Sequence, residues 1–188
     1  MQAVLDVSHV SLKTQRLVLR PFRQEDLQDF YAYASVDGVG QPAGWSPHQS
    51  LEETQSILNH FLAEKKVFAI EEQGRVIGSF GLNPYPQDRF SQFDDLRVTA
   101  IGYVLAKDRW GNGLMTEAAR AVLKWLFEEN DIDVVVCGHF LSNSRSQRVK
   151  EKLGFHPAAI YPMHTRAGRD EICEDGILTR EEWSAGVH

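Results

Sequence analysis

Arg109-Trp110-Gly111-Asn112-Gly113-Leu114 is a turn in which two closely spaced glycines lead into a helical pattern. Residues 97–105 before it have the pattern of a strand, and apolar residues recur at helical spacing from Leu114 onward. The run Ile132–Cys137 that follows is nearly continuous in β-branched apolar residues, as in a buried strand. The order strand, helix, strand predicts a βαβ crossover that joins two parallel strands.

The glycine turn itself predicts an anion-binding helix start. Gly111 and Gly113 permit positive φ and keep Cβ atoms away from a ligand, and Thr116 adds a hydroxyl on the first helical turn. Free N–H groups at a helix N-terminus, together with the helix dipole, favour phosphate. A short glycine turn before a helix is nevertheless most often an ordinary tight turn. A Walker loop is excluded because no Gly-Lys-Ser/Thr follows, and a dinucleotide fingerprint is excluded because Thr116 occupies its third glycine position.

The segments on either side of this unit complete an α/β pattern. Strand patterns lie at residues 16–22, 67–71, 76–82, 158–163 and 171–178, with the second and third joined as a hairpin. Helical patterns lie at residues 24–35 and 50–65, between Ser144 and Gly154, and as one last turn at residues 179–182. Ser50 with Glu53, and Ser144 with Gln147, have the spacing of capping boxes. Residues 36–47 and 83–95 are predicted to be loops.

Length and composition indicate one globular domain that spans residues 1–188. No long apolar run suggests a membrane span and no secretory signal is apparent, so we expect a soluble cytoplasmic protein. Two cysteines without ligand spacing argue against a metal site. The formal charge of −6 disfavours a nucleic-acid partner and would suit a cationic amine substrate, although solubility alone is the more common reason for such a charge.

The order of these elements and a second motif resemble the GNAT acyltransferase superfamily, in particular its RimJ/RimL type of protein N-terminal acetyltransferase. The resemblance covers nearly the whole chain and rests on five stretches: Thr14–Phe22, Val76–Leu82, Ile101–Leu105, Trp110–Ala118 and Asn143–Phe155. It implies an α/β GNAT fold with a mixed, mostly antiparallel central sheet and helices on both faces. It also implies that the fourth and fifth predicted strands, residues 97–105 and 132–137, run parallel and then splay apart.

The resemblance also implies where acetyl-CoA, as the cosubstrate, would bind. Backbone groups of Val104 and Leu105 would meet the pantetheine arm, and Asn143 would hydrogen-bond it. The pyrophosphate would be held by the helix start, whose residues are Arg109, Trp110, Gly111, Asn112, Gly113, Leu114 and Thr116. The thioester oxygen would meet a backbone N–H near Val104 or Leu105.

Three positions depart from the pattern of the family. Asp108 stands where many relatives have Gln or Arg, which weakens the attraction for phosphate but leaves the amides in place. Ala100 stands where many relatives have a glutamate that activates the amine through water. Lys150 stands where others have the tyrosine that protonates the thiolate.

The two missing groups leave the acid and the base to be reassigned. We assign the general acid to Ser146, one helical turn beyond Asn143 on the same face. The general base is unidentified. Its candidates lie at strand ends or in the adjoining loop, where a solvated or packing role is more common: Glu71, Asp94, Asp95 and Tyr103. A protein N-terminal amine, with a pKa of about 7.7, is already partly neutral and needs no strong base.

The function expected is therefore acetyl transfer from acetyl-CoA to a primary amine, either a protein N-terminal α-amine or a small-molecule amine. No cysteine matches a motif position, so we expect direct transfer in a ternary complex, by a monomer or homodimer. A non-catalytic acyl-CoA-binding or sensing domain is the alternative, motivated by Ala100 and Lys150. Acceptor choice is expected to lie in residues 36–49, 83–95 and 161–173, where four aromatics would line a pocket or cover the core: Trp45, Tyr85, Phe90 and Phe93.

Overall fold

Eight strands form one mixed sheet in the structure, a computed structural model that describes residues 3–186. The strands are β1 (Leu12–Lys13), β2 (Val18–Pro21), β3 (Val67–Glu72), β4 (Arg75–Asn83), β5 (Val98–Leu105), β6 (Val134–Phe140), β7 (His156–His164) and β8 (Asp170–Thr179). Their order across the sheet is β1-β2-β3-β4-β5-β6-β8-β7, and all neighbours are antiparallel except β5 and β6. The predicted strands and the parallel crossover are confirmed, and the two-residue β1 was not predicted.

Within residues 3–186, five α-helices accompany the sheet: α1 (Leu27–Ala34), α2 (Leu51–Glu64), α3 (Leu114–Lys124), α4 (Ser144–Lys152) and α5 (Arg180–Ser184). The Ser50 side chain caps α2 by accepting from the amide of Glu53. The predicted cap of α4 at Ser144 is wrong by one residue, because Asn143 occupies the N-cap and its Oδ1 accepts from the Ser146 amide at 3.2 Å.

Helices lie on both faces of the sheet. Arg20 and Pro21 are neighbours on β2, so their side chains, and those of their partners on β3, point to opposite faces. Arg20 forms an ion pair with Asp26 at the start of α1, at 2.8 Å. Phe68, the partner of Pro21, packs its ring edge-on against Trp125 directly after α3, with centroids 5.7 Å apart. The α1 and α3 sides therefore cover different faces.

One wide turn after α3 has no counterpart in the predicted helix. Residues Trp125–Glu129 form a π-helical turn that buries Trp125, Leu126 and Phe127 in succession. Asn130 stabilises the end of this turn by donating from Nδ2 to the Trp125 carbonyl at 2.9 Å.

The parallel strands β5 and β6 separate before they end. Their pairing runs from Val98 with Val134 to Ile101 with Cys137, and then stops. β5 continues to Leu105 on its β4 partner, and β6 continues to Phe140 on β8. Each strand thus keeps one neighbour while the other edge opens, which leaves the splayed gap that the resemblance implies.

Candidate active site

A cavity of about 950 Å³ occupies the gap between β5 and β6. Ten of the eleven residues that the sequence assigns to the site line it: Val104, Leu105, Arg109, Trp110, Gly111, Gly113, Leu114, Thr116, Asn143 and Ser146. Asn112 does not, and its side-chain amide instead donates to the carbonyls of Arg109 and Trp110, at 3.2 and 3.3 Å. The structure thus brings together residues from a strand, a turn and two helices at one opening.

The glycine turn has the geometry that an anion-binding helix start needs. Gly111 and Gly113 have φ of 81° and 76°, in the left-handed region that side chains disfavour, and Gly113 is the N-cap of α3. Glu117, on the first turn of α3, accepts from the Arg16 amide and side chain at 2.9 and 2.7 Å. Arg16 also donates to the Asn112 carbonyl at 3.0 Å. The segment before β2 therefore fixes the turn in place.

A row of basic side chains on α4 faces the same end of the cavity. Arg145, Arg148 and Lys152 line it, at spacings of three and four residues, so they lie on one face of the helix. The Arg145 guanidinium lies over the ring of Trp110, 4.0 Å from its centroid. The sequence interpretation missed these residues, although their helical spacing was visible. They supply positive charge next to the turn in a chain whose formal charge is −6.

Arg109 and Asp108 contribute less to this charge than their positions suggest. Arg109 is held by ion pairs to Glu72 at 3.1 Å and to Asp108 at 3.7 Å. The Asp108 side chain is 72% exposed, so solvent screens its repulsion of a phosphate.

The backbone groups that point into the gap belong to Tyr103 and Leu105. Ala106 donates its amide to Ile77 next to β4, whereas Arg97 accepts from Asp133 next to β6. Because successive residues of a strand direct their backbone groups to opposite edges, Val104 points toward β4 and Tyr103 and Leu105 toward the gap. The Leu105 carbonyl accepts from Trp110 Nε1 at 2.8 Å. This leaves the amides of Tyr103 and Leu105 to meet a ligand, and the side chain of Val104 to line the wall.

Asn143 is a cap and a wall residue at once. Its Oδ1 accepts from the Ser146 amide at 3.2 Å, and its Nδ2 donates to the Pro42 carbonyl at 3.4 Å. An amide side chain has four hydrogen-bonding positions, so one lone pair and one N–H are left for a ligand.

A pair of hydroxyl groups lies in the cavity wall between β5 and α4. Tyr103 Oη and Ser146 Oγ are 2.9 Å apart, and either can donate to the other. Burial raises the pKa of Tyr103 well above its ordinary value, so Tyr103 keeps its proton at neutral pH. A phenol that stays protonated can donate a proton or orient a donor, but it is poorly suited as a base.

Lys150, at the position of the missing tyrosine, is turned away into a buried ionic cluster. Its Nζ lies 2.9 Å from His139 Nδ1 and 3.1 Å from Glu174 Oε1, and Lys150 is not part of the cavity wall. Burial, followed by the neighbouring Lys150, lowers the pKa of His139, which therefore stays neutral and accepts from the ammonium at Nδ1. The remaining proton sits on Nε2, which is buried without a hydrogen-bond partner among residues 3–186.

The far end of the cavity holds a second polar cluster that the sequence interpretation missed. Asp175 is 3% exposed and accepts from Arg89 Nε at 3.1 Å and from Tyr161 Oη at 3.2 Å. The Arg89 guanidinium also lies over the Tyr161 ring, 3.8 Å from its centroid. No local motif signals this cluster, because its members come from the loop after β4, from β7 and from β8.

The four base candidates named from the sequence differ in whether they reach the cavity. Of the four, only Tyr103 lines the cavity. Glu71 is ion-paired with Arg20 at 2.7 Å, and Asp94 accepts from Tyr85 Oη at 2.7 Å. Asp95 is exposed and outside the cavity wall.

The four aromatics considered for the acceptor pocket lie outside the wall as well. Tyr85 and Phe90 are buried in a small core cluster with Val98, and Phe93 packs against it. Trp45 packs against the main core. The alternative, that these rings cover the core, describes their positions.

Across residues 3–186, no three His, Cys, Asp or Glu side chains are grouped so that they could hold a metal ion. In the same part of the chain, no helix combines the length and the apolar character that crossing a membrane requires.

Comparison with known proteins finds acetyltransferases by family model, by sequence and by structure. The model of the acetyltransferase (GNAT) domain family matches residues 16–156. The uncharacterized N-acetyltransferase YoaA of Bacillus subtilis is 27% identical over 156 residues, 79% of this chain and 84% of YoaA. A GNAT-family acetyltransferase structure from Bacillus anthracis superposes with a TM-score of 0.80 at 21% identity, over 92% of this chain and 100% of its own. RimJ of Mycobacterium smegmatis in complex with CoA-disulfide gives 0.71 at 22% identity, over 88% of this chain and 83% of RimJ.

Proposed function

The chain belongs to the GNAT acetyltransferase family and is an acetyl-CoA-dependent acyltransferase, and from this premise we propose that it acetylates a primary amine by direct transfer in a ternary complex. The observation that carries the proposal is the cavity between β5 and β6. It joins an anion-binding helix start at one end to a buried carboxylate at the other, with the Tyr103–Ser146 hydroxyl pair in its wall.

The donor end fits the pyrophosphate and pantetheine of CoA. The amides of the glycine turn and the N-terminus of α3 attract phosphate oxygens, and Arg145 and Arg148 add charge. The amides of Tyr103 and Leu105, which point into the gap, would bind the pantetheine arm and the thioester oxygen. A backbone N–H aimed at that oxygen stabilises the negative charge that develops on it during attack.

Direct transfer is supported by the state of both cysteines. A covalent acyl-enzyme requires a thiolate, because the thiol is a poor nucleophile. Burial raises the pKa of Cys137 to about 12, and burial also raises the pKa of Cys173, which lines the cavity. Both therefore stay protonated at neutral pH, where the amine has to react.

The transfer needs one proton removed and one supplied. The amine nitrogen attacks the thioester carbon, the C–N bond forms, the C–S bond breaks, and the nitrogen loses a proton. The CoA thiolate takes a proton from the Ser146 hydroxyl, which lines the cavity, and the serine oxygen regains a proton from water before the next turnover. Tyr103, 2.9 Å away, can donate to Ser146 Oγ and so leave the serine O–H free to point at the sulfur.

The acceptor that we propose is a protein N-terminal α-amine, with a small-molecule amine as the second candidate. The sequence resemblance to RimJ/RimL enzymes favours the first, and the similarity in fold to RimJ is compatible with it. A partly neutral α-amine also suits a site in which Ala100 replaces the glutamate of many relatives.

A direct test measures acetyl-CoA consumption with hexapeptides of varied N-termini and with a library of small amines. The proposal predicts turnover with at least one acceptor, and none with the same peptide after its N-terminus has been blocked. A substrate restricted to small amines would replace the first acceptor by the second. Tight binding of acetyl-CoA without turnover of any amine would contradict the proposal.

A further inference from the structure

Asp175 has an unusual position for a carboxylate, since it is buried on β8 beside a glycine of β6. It pairs with Gly138, one residue beyond the last β5–β6 pair. A Cβ placed on Gly138 would lie only 2.6 Å from Asp175 Oδ1, so the carboxylate occupies the space over the glycine. Because Gly138 has no side chain, the carboxylate can reach the open edge of β6. Gly138 and Asp175 both line the cavity.

The sheet places this carboxylate on the face of Ala100, opposite Tyr103. Ala100 pairs with Val136 and Ile101 with Cys137, so side chains at even positions of both strands share one face. Gly138 and its partner Asp175 belong to that even face, together with Ala100. Tyr103 belongs to the odd face and meets Ser146 there. The carboxylate and the hydroxyl pair thus approach the gap from opposite sides.

The partners of Asp175 hold it without saturating it. Arg89 Nε binds Oδ2 and Tyr161 Oη binds Oδ1, which uses two of about four lone-pair positions. Arg89 neutralises a charge that would be costly to bury alone. The carboxylate can therefore accept a further hydrogen bond from an amine or a water in the cavity.

We propose that Asp175 binds the acceptor amine and receives the proton that its nitrogen loses, in place of the glutamate that is absent at Ala100. This rests on the proposed function. As the C–N bond forms and the C–S bond breaks, the N–H proton passes to Asp175, directly or through one water. Ser146 protonates the departing thiolate on the other face. After the products leave, the Asp175 proton returns to solvent and Ser146 takes up a proton from solvent, which restores both groups.

The test compares Asp175→Asn with Asp170→Asn, the same substitution on the same strand at a side chain that is 92% exposed. Two acceptors are used: an alanine-initiated hexapeptide, and the same peptide with an aminooxyacetyl N-terminus, a nucleophile that is neutral at pH 7. We expect Asp175→Asn to lower kcat for the alanine peptide about a hundredfold, and for the aminooxy peptide less than about tenfold. Asp170→Asn should match the wild type, and the Kd for acetyl-CoA should change less than about twofold in both variants.

A second variant guards against misfolding of the first. Gly138→Ala keeps the carboxylate but displaces it, so it should show the same difference between the two peptides. Equal losses with both peptides, or full activity of Asp175→Asn, would overturn the role of Asp175 while leaving the proposed function intact. A wild-type enzyme that acetylates neither of the two peptides, nor any other amine, would overturn both.

Discussion

Replacing Ser146 by alanine tests the assignment of the general acid. A positioned acid contributes about 10² to 10⁴ in rate, and a thiolate is a good leaving group, so the lower end applies. We expect kcat to fall about a hundredfold, equivalent to about 2.7 kcal/mol of activation free energy. The lost hydrogen bond to Tyr103, 2.9 Å long, should cost about 1 kcal/mol of stability and lower Tm by about 2–4 °C.

The assay is steady-state acetylation of the best peptide acceptor, with the Kd for acetyl-CoA measured by calorimetry. Ser144→Ala is the matched control, because Ser144 starts the same helix but is exposed and outside the cavity wall. Tyr103→Phe should lower kcat by less, about tenfold, since the serine hydroxyl remains. A Ser146→Ala enzyme with full kcat would refute the assignment, and an equal loss in Ser144→Ala would attribute the effect to the helix start.

The other predictions concern the turn, the buried cluster and pH. Gly113→Ala forces a side chain into a backbone conformation with φ 76°, so it should cost about 1–2 kcal/mol of stability and weaken acetyl-CoA binding in calorimetry at least about tenfold. Gly74→Ala is the control, because Gly74 has φ 81° in the β3–β4 hairpin: it should destabilise the protein similarly and leave the Kd for acetyl-CoA unchanged. Glu174→Gln leaves the Lys150 ammonium buried without its counter-charge and should lower the free energy of unfolding in urea by about 3 kcal/mol. Adding Lys150→Met should restore most of that loss. Additive losses in the double variant would contradict the pairing of Lys150 with Glu174. Burial lowers the pKa of His139 in the folded state, so the unfolded chain takes up a proton at a higher pH than the folded chain does. The urea midpoint should therefore fall as pH drops below 6.5 and be flat above it. His139→Gln should reduce that fall.

The sequence was most informative where local pattern alone determines structure. The glycine turn needs positive φ at residues 111 and 113, and the β-branched run before Cys137 forms the buried strand β6. Hydrophobic period and glycine chemistry are local properties, so these elements were predicted nearly to the residue. The assignment of residues 1–188 to one domain stays a prediction.

The site was only partly predictable because its polar groups meet across distant strands. Asp175, Arg89 and Tyr161 come together through the pairing of β7 with β8 and of β8 with β6, which no motif encodes. The loop aromatics illustrate the converse, since Tyr85 and Phe90 have the composition of a pocket but are buried in a core cluster. The roles given to Asn143 and Ser146 in catalysis and binding remain predictions, although the structure places both in the cavity wall.

Direct acetyl transfer from acetyl-CoA to an amine is tested by a single-turnover reaction with the enzyme in excess over acetyl-CoA, followed by intact-mass measurement of both peptide and protein. With an alanine-initiated hexapeptide present, we predict one acetyl group on the peptide and none on the protein. Without the peptide, the protein should also stay unmodified. Acetylated protein that then passes its acetyl group to the peptide would contradict direct transfer. Acetyl-CoA binding with no transfer to any amine would contradict amine acetylation itself.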